Sequence, residues 1–214
     1  MTLLEKPAVA QYPIHDLLRK RWSPRAFSSQ SVSPAQLASL LEAARWAASC
    51  FNQQPWHFLL ATKDNPQDYS RLLGCLVEAN QAWAQHAPVL MLSVAKLTFD
   101  QSGQANRHAF HDVGQAAANL TLQATAMGLV VHQMAGFDVD KARTVFEIPD
   151  GHEPVAALAV GYQGDPAALP VKLREREEAP QTRKPLRDFV FSGRWGSPAS
   201  FVVSGAPSRP ASRT

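Results

Sequence analysis

The proline-free run from His108 to Met127 sets the strongest limit on how this chain folds. Rich in Ala, Leu and Gln, it reads as one helix. At about 1.5 Å per residue it spans roughly 30 Å, the diameter of a small domain. Its apolar and small residues, Val113, Ala116, Ala117, Leu120, Ala124 and Met127, cover more than one stripe. A helix apolar around much of its girth must be buried, either centrally or at a subunit interface. Gly128 follows as the left-handed residue expected to end it.

The remaining elements arrange themselves around that helix. Ile14–Arg21 reads as a short amphipathic helix. Ser33-Pro34 opens a second helix, with Ser as N-cap and Pro in the first turn. Leu37, Leu40, Leu41, Ala44 and Ala48 then recur at three and four residues, giving one buried face. Asn65-Pro66 opens a third helix, with Tyr69, Leu72, Leu73 and Leu76 on one side. Asp138 caps a further one over Val139–Phe146. Strands are predicted at His57–Thr62, Pro88–Ala95, Leu129–Gln133 and Pro154–Tyr162. Thr98–Asn106 reads as a polar loop. Asp165–Pro185 is charged and proline-containing, with little core signal, and Phe189, Phe191 and Trp195 form a late aromatic cluster. Such intermixing favours an α/β or α+β layered domain. Two helices precede the first strand, and neither GxGxxG nor GxxxxGK[ST] occurs, which excludes simple Rossmann and P-loop proteins. Residues 1–196 read as a single domain. The Ser, Pro, Ala and Gly composition of 197–214 is that of a disordered tail.

Composition removes other classes. The net charge is +3 and the basic residues are scattered, so no nucleic-acid footprint is present. The longest apolar run, Pro88–Ala95, is too short to span a bilayer, and the N-terminus lacks a basic start followed by an apolar stretch. A soluble, cytoplasmic protein is expected. Cys50 and Cys75 lack CxxC spacing and read as reduced thiols. His108, His111 and His132 have no acidic or Cys partners at ligand spacing, so no metal is expected. Trp22, Trp46, Trp56 and Trp83 read first as core or interface anchors.

Two segments carry chemistry. Ser49-Cys50-Phe51-Asn52-Gln53-Gln54-Pro55-Trp56 gathers hydroxyl and amide groups between a helix end and a strand, which suits a ligand with many donors and acceptors. In Arg21-Trp22-Ser23-Pro24-Arg25, two guanidiniums and a hydroxyl are able to converge on one phosphate. A second basic site, Arg183-Lys184-Pro185-Leu186-Arg187, lies far downstream.

Taken in order, Arg-x-Ser-x-Arg, Ser-x-x-Asn-x-Gln-Pro-Trp, Gly128-Leu129 through Ala135-Gly136-Phe137, and Arg-Lys-Pro-Leu resemble the nitroreductase family of FMN-dependent oxidoreductases. The likeness covers roughly Ile14 to Trp195. It implies an α+β, three-layer fold with a central, mainly antiparallel sheet wrapped by helices, and an intertwined homodimer holding two FMN molecules at the interface. It assigns Arg21, Trp22, Ser23 and Arg25 to the FMN phosphate and ring edge, and Asn52 and Gln54 to the isoalloxazine. Ser49, Cys50 and Phe51 would face the partner's flavin. Met134, Ala135 and Gly136 would pass close to the ring, and Arg183 would reach the phosphate. The implied reaction carries electrons from NADH or NADPH through FMN to a small planar acceptor, of nitroaromatic or quinone type, by a ping-pong cycle. The chemistry is then the cofactor's, which fits the lack of a Ser-His-Asp or paired-carboxylate constellation and leaves no catalytic side chain to assign. A flavin-binding protein without NAD(P)H turnover, and a relative with oxygen-dependent or dehalogenating chemistry, are the alternatives.

Overall fold

The computed structural model describes residues 3–203. In chain order the elements are α1 (Asp16–Lys20), α2 (Pro34–Arg45), β1 (Trp56–Thr62), α3 (Pro66–Cys75), α4 (Glu78–Ala84), β2 (Val89–Lys96), α5 (Ala109–Ala126), β3 (Val130–Met134), α6 (Val139–Val145), β4 (His152–Gly161), α7 (Val171–Glu178) and α8 (Ser200–Val203). Short 3-10 turns lie at Cys50–Asn52, Pro166–Ala168 and Leu186–Asp188. The strands form one antiparallel sheet in the order β1-β2-β4-β3.

Strand periodicity sorts the core into layers. On β2 and β4, Leu90, Leu92, Ala157 and Ala159 face one side, where Tyr69 and Leu72 of α3, Trp83 and Ala84 of α4 and Ala142 of α6 pack. Val89, Met91, Leu158 and Val160 face the other, against Leu37, Leu40 and Ala44 of α2 and Ala116, Leu120 and Ala124 of α5. The two central strands are thus buried on both faces, so they read as continuous apolar runs rather than alternating ones. The register slips between Ser93 and Val94. There the Ser93 hydroxyl donates to Ala156 O (3.0 Å) and accepts from Ala156 N (3.2 Å), satisfying the ladder groups that the irregularity frees.

Local signals in the sequence place the helix ends. Ser33 and Gln36 form a reciprocal capping box at α2, and Asn65 and Asp138 cap α3 and α6. Helix α5 closes with Gly128 at φ +72°, where Gly128 N donates to Thr125 O and Leu129 N to Ala124 O, a Schellman pair. Val113, Ala116, Ala117, Leu120 and Ala124 are buried, whereas Phe110, Gly114 and Ala118 lie exposed on the opposite side of α5. Two helices differ from expectation. Helix α4 follows Val77, an N-cap that offers no capping side chain, and α7 lies inside the charged stretch that carried little core signal. Within the segment expected to be a tail, Phe191 bridges Pro198 and α8 follows; residues 204–214 lie outside the described residues. Among the described residues no helix is long and apolar enough to cross a membrane.

Candidate functional site

Arg21 is the C-cap of α1, and from it the chain runs on to the end of β4. Gly164 N donates to Ala26 O (2.8 Å) and Ser28 N to Tyr162 O (2.9 Å). The fit is close: a Cβ on Gly164 would fall 2.5 Å from the Phe27 carbonyl carbon and oxygen, so only glycine is accommodated there. Between these ends the turn has three further anchors. Arg21 Nη1 donates to Ser23 Oγ (3.2 Å), His132 Nδ1 bonds Pro24 O (3.0 Å), and the Glu177 carboxylate accepts from Arg25 N (2.7 Å) and Ala26 N (3.1 Å). Trp22 is buried, with Lys6 Nζ 4.8 Å above its ring.

Cations gather on the outer side of this turn. Arg21, Arg183 and Lys184 line one cavity of about 830 Å³, whose other walls include Ile14, Leu18, Leu186 and Phe189. Burial, and then the nearby Arg183 charge, lower the Arg21 pKa from its ordinary value. Among the described residues neither Arg21 nor Arg183 pairs with a carboxylate. Two guanidiniums facing one cavity without a counter-charge are able to receive an anion. Arg25 differs: its Nη1 lies 3.7 Å from Glu177 Oε2.

On β3, His132 bonds a carbonyl, so Nδ1 carries the proton, and its ring sits 4.5 Å from that of Trp83. Burial lowers its pKa to about 4 from 6.5, against the raising effect of the Pro24 bond. The sign for stability follows. Between pH 6.5 and about 4 the unfolded chain takes up a proton here that the folded chain does not, so stability falls as pH falls through that window. The loss is roughly 3 kcal/mol and is complete below the folded value. His132→Asn keeps a side-chain N–H for Pro24 and cannot titrate. Urea unfolding across this window is expected to give a flatter profile for the variant; an unchanged slope would assign the effect to other groups.

The amide segment occupies a different place. Phe51, Asn52 and Gln54 all adopt left-handed backbone, with φ of 52°, 55° and 51°. Ser49 Oγ accepts from Gln54 N (3.0 Å), and Gln54 Nε2 donates to Asn52 O and Oδ1 (both 3.2 Å). Two carboxylates hold the segment from outside. Buried Asp112, in the first turn of α5, accepts from Cys50 N (3.0 Å). Asp100 accepts from Gln53 Nε2 (2.9 Å) and returns its own N–H to Gln53 Oε1 (3.1 Å), while also pairing with Lys96. Phe51 is 92% exposed and touches Phe99 edge-on at 6.0 Å.

At the end of β3, Met134 is buried in the core and Ala135 is exposed. Gly136 has a local packing reason. Its carbonyl accepts from Val77 N (3.1 Å) and Asn80 Nδ2 (3.0 Å), and a Cβ would meet Asn80 Nδ2 at 2.6 Å and Val77 Cγ2 at 2.9 Å. The close approach that Gly136 permits within this chain is therefore to α4.

The single chain brings Arg21, Ser23, Arg25 and Arg183 to one region and Ser49–Gln54 to another. Among the described residues no hydrogen bond, ion pair or ring contact joins them. Sequence reasoning missed Glu177, Asp112 and Asp100, and read His132 only against a metal role. Asp112 had a usable signal, a lone carboxylate among the apolar residues of α5. Glu177 had none, being one of several acidic residues in a charged run.

Comparison with known proteins shows what this chain and its fold are similar to. A profile of the Nitroreductase family matches residues 18–162. A crystal structure described as an oxidoreductase containing FMN superposes over 92% of this chain and 100% of its own, with a TM-score of 0.84 and 35% identity. A nitroreductase family protein of Clostridium difficile 630 covers 83% of this chain and 96% of its own, with a TM-score of 0.64 and 26% identity. An NADH dehydrogenase of Thermus thermophilus is 27% identical over 203 residues, 80% of this chain and 92% of its own length. The profile match runs from within α1 to just past the end of β4 and so takes in the whole sheet: the chain belongs to the nitroreductase family.

Proposed function

We propose that this oxidoreductase passes electrons from NADH or NADPH, by way of bound FMN, to a small planar acceptor of nitroaromatic or quinone type. The observation that carries the proposal is the uncompensated Arg21–Arg183 pair lining one cavity of about 830 Å³. The donor set fits FMN. Its phosphate needs cations, and Arg21, Arg183 and Lys184 supply them, with the Ser23 hydroxyl beside Arg21. Its pyrimidine edge needs amides, and Asn52 and Gln54 are exposed on the surface. When bound, FMN supplies two-electron redox chemistry that accepts hydride from a nicotinamide and yields electrons to the second substrate. The chain's own residues bind and orient: the cations fix the phosphate end, and the left-handed segment presents its amides rigidly.

The same geometry supports a homodimer. The cations and the amides stand apart in one chain, so a site that draws on both is assembled from two copies. Exposed Trp46, Phe51, Phe110 and Trp195, at 74%, 92%, 50% and 92%, supply apolar surface for that contact. The flavin domain is residues 1–196, and the free thiols Cys50 and Cys75 suit the cytoplasm. With donor and acceptor using one site in turn, a ping-pong order is obligatory.

Purified protein is expected to show flavin absorbance that bleaches on anaerobic addition of NADH or NADPH. Subsequent addition of a quinone or nitroaromatic should restore the colour. Yellow protein that stays yellow with both donors would leave a flavin carrier without turnover. Colourless protein that takes up no FMN would remove the flavin altogether.

A further inference from the structure

We propose that Glu177 is a positioning residue, whose carboxylate fixes the main chain of the turn that carries Arg21 and Ser23 toward the phosphate. The inference rests on the assignment of the cavity at Arg21 and Arg183 to the FMN phosphate.

Helix α7, VKLREREE, is strongly polar, yet the Glu177 side chain is 0% exposed. A carboxylate is kept out of water only where strong partners replace its hydration. Here Oε1 accepts two successive main-chain N–H groups, Arg25 at 2.7 Å and Ala26 at 3.1 Å. Two consecutive donors converging on one oxygen fix the backbone on both sides of Arg25. On the other side of the turn, His132 holds Pro24 O. The stretch that follows Ser23 is thus gripped from α7 and from β3.

The second carboxylate oxygen faces a cation rather than a main-chain donor. Glu177 Oε2 is buried and has no hydrogen-bond partner, and Arg25 Nη1 faces it at 3.7 Å. Lys6 Nζ donates to the Glu177 carbonyl (2.6 Å), adding positive charge at the same place. Arg25 is therefore already compensated by charge. Arg21 and Arg183 are not, and they share the cavity.

The test compares FMN with riboflavin, which lacks the phosphate, on full-length protein freed of flavin. Affinities are read by flavin fluorescence in wild type, Glu177→Gln and Glu177→Asp. Glutamine retains an oxygen able to accept both N–H groups, so its FMN-to-riboflavin affinity ratio is expected to stay within about threefold of wild type. Aspartate keeps the charge but is one methylene too short to reach both, and should lower that ratio by roughly tenfold or more, through FMN alone. A role in charge alone predicts the reverse ranking and overturns the proposal. So does an Asp variant with an unchanged ratio, or an equal loss of both flavins in the two variants, which would mark Glu177 as a general structural residue. Wild-type protein that binds neither flavin overturns the FMN assignment itself, and this inference with it.

Discussion

Replacing Arg21 and Arg183 together by alanine is expected to weaken FMN binding by two to four orders of magnitude. Each guanidinium offers charge-assisted hydrogen bonds worth about 1.5–3 kcal/mol, so the pair amounts to roughly 3–6 kcal/mol. Both side chains line the cavity at the outer side of the turn, and among the described residues neither has a carboxylate to fall back on. In the free protein the two charges repel, with burial the larger cause and Arg183 the next in lowering the Arg21 pKa. An incoming dianion relieves that repulsion as well as forming bonds, so the double variant should lose less than the sum of the single ones. Arg25→Ala removes a cation already facing Glu177 and is expected to cost less than either. Fluorescence titration with FMN measures all four. Undiminished affinity in the double variant would move the phosphate away from this cavity.

Trp83→Ala is expected to lower stability by about 4 kcal/mol, the usual range for emptying a buried tryptophan site. Trp83 is 1% exposed, with Phe27 stacked at 6.3 Å on one side and the His132 ring at 4.5 Å on another. Phe27 closes the Arg21–Phe27 turn onto Gln163, and His132 holds Pro24. Loss of the indole therefore opens a hole beneath two of the turn's supports. Urea unfolding should show the loss, and Trp83→Phe should recover much of it. A drop below about 1 kcal/mol would mean that α4 collapses into the space.

Much of this architecture was legible wherever one segment carried its own signal. Helix α5 was readable from composition and from Gly128, α2 from Ser33-Pro34, and β2 from an apolar run that both sheet faces explain. Helix α7 was not, because it docks through the Glu177 carboxylate and the apolar contact of Leu173 rather than an apolar stripe. Helix α4 is short and lacks a capping side chain, so its start left no mark. The site divides in the same way. The residue types in the Arg21–Arg25 and Ser49–Gln54 segments pointed to phosphate and amide recognition. What holds each in place came from far along the chain: Glu177 and His132 for the first, Asp112 and Asp100 for the second. Long-range polar partners have no periodicity, so a single sequence does not display them. Gly136, which the family resemblance sets beside the flavin ring, packs within this chain against Asn80.

The left-handed run at Phe51, Asn52 and Gln54 bears on how this protein can be improved. Side chains cost on the order of 1 kcal/mol at such positions, where glycine costs almost nothing. A programme selecting for thermostability alone would therefore favour glycine at Phe51 and at Gln54. Each such gain would delete a side chain that is proposed to meet the flavin and would loosen the backbone that aims the others. Here stability and the proposed activity pull on the same two residues in opposite directions, so a hardier enzyme is better sought in the core around α5 or on the outer faces of the helices.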